Sequence, residues 1–412
     1  MKKIYKIYIA FVLLLFVSSC QDPLDKTQLD LIGEDKVWVD EALVNAYMAD
    51  IYTNAEFCPG VLTGNFTSRR HAELDAGGEA RARDGAGGGI VDGSMGEGGA
   101  DGIIDYWNWD QVRKVNVAIQ ELSNTESVLD IDFREKNLGE AYFIRAWVYF
   151  SMAKRYGGVP LIKEPQDILL SLEELQVPRS TEAETYDMIA EDCDMAVSLL
   201  DGKSLDWGKA TKWAALALKS RAMLYAGSIG EFGTVQANGL VGIADADKYW
   251  NLSLDASRQI IQSGEFSLYD NAQGGTYDEK IANYTEMTLD DNPASNKELI
   301  FAERFSGAGG KGSSRDSYYH PNVEGNTSWG SVSQVYLETI EMFEYADGTP
   351  GTLDRSTLVT GQRHNLSDLF GNKDPRFYAS IAIQETDFGG ATVWSHEGQL
   401  MLAMNMNRVS IG

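Results

Sequence analysis

Residues Glu140 to Ile162 read EAYFIRAWVYFSMAKRYGGVPLI. Apolar and aromatic residues recur here at helical spacing, and the run then stops on Tyr156-Gly157-Gly158-Val159-Pro160, where glycine and proline end a helix. Part of the stretch returns downstream: Arg145-Ala146-Trp147-Val148-Tyr149 is echoed by Arg221-Ala222-Met223-Leu224-Tyr225. The interval is about two repeats of the roughly 34–40-residue class that builds helical solenoids. Stacked helix pairs are scaffolds that bind through broad surfaces.

Working outward, the spacing predicts helices near 37–54, 106–124, 133–156, 181–200, 209–228, 246–263 and 332–345. Thr181 with Glu184 forms a capping-box pattern at one start. Ala210, Ala214, Ala215, Ala217 and Ala222 make a small-residue face that lets neighbouring helices approach closely, as a tetratricopeptide-like stack requires.

Three further stretches, in the same order along the chain, join the Tyr-Gly-Gly-Val-Pro-Leu turn in a likeness to a known family. They are Trp38-Val39-Asp40-Glu41-Ala42 with Ala46-Tyr47, Lys209-Ala210-Thr211-Lys212 leading into 214–225, and QVYLETIEMFEYADG at 334–348 followed by Asn372-Lys373-Asp374-Pro375-Arg376-Phe377. With these motifs the chain resembles the SusD/RagB family of outer-membrane nutrient-binding lipoproteins of Bacteroidetes, with Lys373 where arginine is usual. Relatives continue past the position matching Gly412, so the resemblance also implies that the C-terminal part is lacking. The implied fold is mainly α: a tetratricopeptide-like helical-repeat scaffold with a loop-rich, irregular ligand-binding subdomain. The expected organisation is a signal peptide at 1–19, a lipidated tether at 20–36, a helical-repeat region at 37–270 carrying a glycine-rich loop at 58–102, and a loop-rich region at 271–412.

The N-terminus carries Lys2, Lys3 and Lys6, an apolar run from Ile7 to Val17, and Ser18-Ser19-Cys20. That pattern reads as a secretory signal whose run is too short to span a bilayer. Cysteine behind two small residues points to processing that leaves Cys20 acylated, and acyl chains hold a protein on a membrane without a transmembrane helix. Only Cys58 and Cys193 remain in the mature chain, so a disulfide framework is excluded, and Cys193 reads as a free, buried thiol. A formal charge of −26 repels nucleic acid and anionic lipid, which argues against both as ligands.

Two stretches between helices are not scaffold. Residues 58–102 hold a glycine run that matches neither the dinucleotide fingerprint nor a P-loop. A flexible loop and a binding loop or calcium site using Asp92, Glu97 and Asp101 both stay open, although the EF-hand spacing is absent. Residues 306–330 combine Gly307-Ala308-Gly309-Gly310 with Tyr318-Tyr319-His320-Pro321-Asn322 and Asn326-Thr327-Ser328-Trp329. Aromatic rings in loops can stack on the apolar faces of sugars, while amide and charged groups answer the hydroxyls. The candidate ligand-binding residues are therefore Trp329, Tyr318, Tyr319 and Asn322 from the late stretch, with Arg69, Arg70 and Asp101 from the early one.

Catalysis has no sequence support. Among 61 acidic residues no pair is marked out for glycoside hydrolysis. His71, His320, His364 and His396 lie in no zinc pattern, and no serine or cysteine sits in a nucleophile motif. Asn116 and Arg145, polar groups on apolar helical faces, read as internally satisfied and are left out of the site. No cofactor is expected. The resemblance implies a cell-surface protein that captures oligosaccharides and passes them to a SusC-like TonB-dependent transporter; peptide capture and, behind it, surface glycoside hydrolysis are the alternatives.

Overall fold

A computed structural model describes residues 34–57, 78–82, 106–167, 169–271, 273–303, 333–359, 364, 369–383, 387–388 and 391–393. The fold is mainly α. Helices α1 (Glu41–Asn54), α2 (Trp109–Leu122), α3 (Ile131–Tyr156), α4 (Glu182–Leu200), α5 (Lys212–Phe232) and α6 (Ala246–Ser263) form the stack. From α2 onward each helix packs on its sequence neighbour, and α1 lies against α2 and α3.

The ends of these helices are written in local chemistry. Asp40, Asp130, Thr211 and Asp245 cap α1, α3, α5 and α6 by accepting from first-turn amides. Thr181 and Glu184 make the expected capping box at α4. The same reciprocal pair recurs at Ser171 with Glu174, and at Thr276 with Glu279 at the start of α7 (Tyr277–Leu289). Bonds from the Thr181 and Thr276 main-chain amides and hydroxyls hold the Glu184 and Glu279 carboxyls below the ordinary range, and the Ser171 hydroxyl and amide do the same for Glu174. A depressed carboxyl pKa supplies stability above the unfolded value that is lost as pH falls through the folded one. The urea midpoint is therefore expected to drop as pH is lowered from 5 to 3, around the ordinary glutamate pKa of about 4.3. Glu184→Gln flattens part of that slope, and an identical slope in the variant would refute the assignment.

The long run ends as its glycines predict. Gly157 closes α3 at φ 72°, and Gly158 donates its amide to Leu240 O at 2.7 Å. A Cβ on Gly158 would lie 2.0 Å from Ser180 O. The turn after α3 thus sits between the start of α4 and the Gln236–Val241 bridge, where no side chain fits.

Inside the stack, the Arg145 guanidinium grips Asp192 of α4 with two bonds, Nε to Oδ2 at 2.8 Å and Nη2 to Oδ1 at 2.7 Å. Its Nη1 donates to Asn116 Oδ1 at 2.9 Å and Lys163 O at 3.0 Å, while Asn116 Nδ2 reaches Ile162 O at 2.8 Å. The Tyr149 hydroxyl accepts from the Ile162 amide at 2.8 Å. Three helices and the Val-Pro-Leu-Ile segment are therefore tied at one buried point, and Asn116 and Arg145 are internally satisfied, as expected.

The echo of this motif in α5 does not repeat its environment. Ala146 and Ala222 are both fully buried, but Arg221 is exposed and Tyr225 is 46% exposed, whereas Tyr149 is buried. The repeat spacing survives and the side-chain roles diverge, because α3 lies between α2 and α4 while the α5 face bearing Arg221 meets solvent. The alanine face behaves as expected: Ala210, Ala214, Ala215 and Ala222 are buried. Cys193 is a free buried thiol, and burial pushes its pKa well up.

Beyond α6 the packing thins. Phe301 rejoins the stack through Phe57 and Phe143, with ring centroids 5.1 and 5.3 Å away. The helix expected over 332–345 is instead strand β2 (Ser333–Val335) and the short helix α8 (Leu337–Met342). Strand β2 pairs antiparallel with β1 (Ala80–Ala82) in the register Ala80 to Val335, Arg81 to Gln334, Ala82 to Ser333. A second small ladder joins Asp387–Phe388 to Ala391–Thr392. Helices α7 and α9 (Pro375–Ser380) went unpredicted: α7 buries no residue, and α9 has only six.

The Asn372-Lys373-Asp374-Pro375-Arg376 motif now has a physical reading. Asn372 turns the chain at φ 60°, Asp374 caps α9, Pro375 occupies its first turn, and Arg376 doubles back on Asp374 at 2.8 Å. Lys373 is fully buried, and its ammonium donates to Ile340 O at 3.2 Å, Phe343 O at 2.8 Å and Gly351 O. It thereby closes the end of α8 beneath a small apolar cluster of Leu353, Leu369, Phe370 and Phe377.

Candidate functional site

The residues singled out from sequence, Trp329, Tyr318, Tyr319, Asn322, Arg69, Arg70 and Asp101, and the lipidation residue Cys20, lie outside the described residues, as do Asp92 and Glu97. Their flanks are informative nonetheless. Strand β1 lies within the early stretch and β2 begins shortly after the late one, and the β1–β2 ladder pairs Ala80–Ala82 with Ser333–Val335. Glu79 O adds to the seam by accepting from the Tyr336 amide at 3.2 Å and the Thr339 hydroxyl at 2.7 Å. Two segments some 250 residues apart in sequence are thus paired strand to strand.

Within the described residues, a site is built at the entry to α2. Tyr106 is buried; its hydroxyl donates to Ala55 O at 2.7 Å and its amide to the Tyr156 hydroxyl at 2.8 Å. With Tyr106 pinned, Trp107 is pushed outward and stays 53% exposed. Two rings support it from beneath, Tyr156 with centroids 4.3 Å apart at 32° and Trp109 at 5.5 Å. An exposed indole held this way is pre-organised, so a ligand ring laid on it loses little side-chain freedom. The apolar C–H face of a sugar fits such a surface, and the indole N–H can meet a hydroxyl.

Beside this platform an open groove of about 440 Å³ runs between α1 and α2. It begins at Asn108, the residue after Trp107, and continues past Asp110, Gln111, Arg113 and Lys114 to Val117, with Tyr47 and Asn54 from α1 opposite. At about 1.5 Å per helical residue the α2 wall is about 13 Å long. Two amides and one carboxylate are followed along it by two cations. Asn108 Nδ2 donates to Asn54 O at 3.0 Å and Gln111 Nε2 to Ile51 O at 2.6 Å, which locks both walls together. Lys114 pairs with Asp50 at 2.5 Å, and Arg113 Nη1 donates to Gln166 O at 2.6 Å.

The spacing predicts a helix from Tyr106 onward, which hides this place in the sequence. A signal is present: three aromatics within four residues spread over more than one face of a helix, so a single packed neighbour cannot cover them all.

Relatives bear on the same region. A family described as "Starch-binding associating with outer membrane" matches residues 97–224, taking in the platform and α2 to α4. The SusD family matches residues 297–411, so the two together span more than half of the chain. The chain belongs to the SusD/RagB family. Members of this family are binding proteins. A SusD-like protein of Bacteroides fragilis is 25% identical, with TM-score 0.64 over 90% of this chain and 67% of its own. A SusD-like carbohydrate binding protein of the same organism is 19% identical, with TM-score 0.58 over 86% of this chain and 62% of its own, a likeness of fold. A SusD-like protein of Formosa agariphila is 30% identical over 126 residues, which are 29% of this chain and 23% of that one. No helix among the described residues is long and apolar enough to cross a membrane.

Proposed function

We propose that this SusD-like chain captures oligosaccharides at the outer surface of the outer membrane, tethered through an acylated Cys20, and passes them uncleaved to a SusC-like TonB-dependent transporter. The observation that carries the reading is the exposed Trp107, supported by Tyr156 and Trp109, with an amide-bearing groove starting at the next residue, Asn108. The late-stretch Trp329, Tyr318, Tyr319 and Asn322 and the early-stretch Arg69, Arg70 and Asp101 belong to the proposal as further contacts, on the strength of their types and of the β1–β2 seam. Weak binding over several rings suits a protein that must release its ligand.

Binding without cleavage is supported by where the raised carboxyls lie. Glycoside hydrolysis needs a carboxylic acid whose pKa is pushed up beside the scissile bond. Among the described residues burial raises Glu140, Glu182 and Asp192, and these are engaged inside the stack by Lys209, the Gly242 amide and Arg145. None of the three lines the groove.

Calorimetry on the mature protein against a glycan panel tests the proposal. Trp107→Ala is expected to weaken the best ligand about tenfold, equivalent to about 1.4 kcal/mol, with an unchanged melting temperature. Unaltered affinity in the variant removes the platform from the site, and sugar products released by the wild type refute the non-catalytic reading.

A further inference from the structure

Resting on that reading, the groove beside Trp107 also indicates what kind of sugar it takes. We infer that it selects anionic glycans, those carrying a carboxylate or sulfate, through the free edge of the Arg113 guanidinium.

Two cations line the groove, and they differ in what already holds them. Lys114 is paired with Asp50, whose other bonds include the Asn54 amide at 2.9 Å, so its charge is answered within the protein. Arg113 has no carboxylate partner among the described residues. One corner of it, Nη1, is fixed to Gln166 O, and Gln166 is itself held by a bond from Nε2 to Leu175 O at 2.9 Å. A guanidinium anchored at one nitrogen keeps the Nε and Nη2 side for a bidentate partner, and planar oxyanions fit that fork. A lysine so placed would offer only a point charge.

The surroundings agree. Asn108 turns its amide to Asn54 instead of capping α2, so no side chain closes the positive end of this 14-residue helix, at the same end of the groove. Asp110 remains to receive hydroxyls. In a chain of formal charge −26 this groove keeps a cation with no acidic partner among the described residues. A neutral sugar would leave that charge unused.

Two matched ligand pairs test this by calorimetry at 0.15 M salt: an oligogalacturonate with its methyl ester, and a sulfated galactan oligosaccharide with its desulfated form. The wild type is expected to bind the charged member of at least one pair about tenfold more tightly. The pair that shows the preference tells carboxylate from sulfate. Arg113→Gln, at an exposed position that leaves the fold intact by circular dichroism, brings the two members within about twofold, while Arg113→Lys restores only part of the difference. Equal binding of charged and neutral members by the wild type, or a preference that survives in Arg113→Gln, overturns the inference. If neutral glycans bind and Trp107→Ala weakens them, glycan capture stands while the anionic preference falls. If no member binds, the anionic preference falls, and glycan capture is decided by the wider panel.

Discussion

Replacing Arg145 with methionine is expected to destabilise the helical stack by about 3–5 kcal/mol, a fall in Tm of about 10 °C at a few degrees per kcal/mol. Methionine fills much of the same volume, so the loss is electrostatic rather than a cavity. Asp192 is 3% exposed and would be left as a buried carboxylate without its two guanidinium bonds. Asn116 Oδ1 and Lys163 O would lose their donor in the same step. The paired change Arg145→Met with Asp192→Leu is expected to recover a large part of the loss, since removing both charges removes the stranded one. Calorimetric unfolding of the two variants decides the matter. A single variant within about 1 kcal/mol of wild type would mean that water enters and solvates Asp192, and that this clamp does not bind α2, α3 and α4 to the turn. The equivalent change at Arg221 should cost less than about 0.5 kcal/mol, because that arginine of the echoed motif is exposed.

The second large effect is expected at Lys373. Lys373→Met removes the donor shared by Ile340 O, Phe343 O and Gly351 O, and each carbonyl left unsatisfied costs about 1–3 kcal/mol. Part of this is returned because burial disfavours the ammonium, whose pKa desolvation lowers, so a net loss of about 3 kcal/mol is expected. The surrounding apolar cluster has four buried members, so that loss is large against its own stability and should open it locally. Faster hydrogen exchange confined to residues 337–353 and 369–380, with the helical stack unaffected, is the expected signature. Uniform exchange across the protein would show that the two regions unfold together. Arginine at this position keeps the charge and the donors and should restore much of the protection. Gly351→Ala should mimic the defect, because a Cβ there meets Phe343 O and the Lys373 ammonium at 1.7 and 2.4 Å.

The Lys373 pocket and the Arg145 clamp show different degrees of legibility. The motif around Lys373 was visible as a string, and the turn, cap and first-turn proline that it encodes are local. Nothing in the string says that the lysine goes inward, because its three acceptors come from segments 22 to 33 residues away. For Arg145 the reading of internal satisfaction was sound, yet its principal partner is Asp192, 47 residues on. The chosen site residues rested on composition within the two glycine-bearing stretches. The platform at Trp107 lies just outside the first of them, where the spacing predicts helix.

What the sequence by itself determined is whatever depends on neighbours a few residues apart. The helix period, the capping box at Thr181, the glycine stop after Tyr156 and the alanine face of α5 all follow from interactions that close within one or two turns. The tertiary structure alone decided which of two like motifs is buried, which of three clustered aromatics faces outward, and which groove cation has no carboxylate partner among the described residues. Those outcomes are set by the surfaces that neighbouring helices happen to cover, and desolvation and pairing act between groups that the chain brings together only on folding.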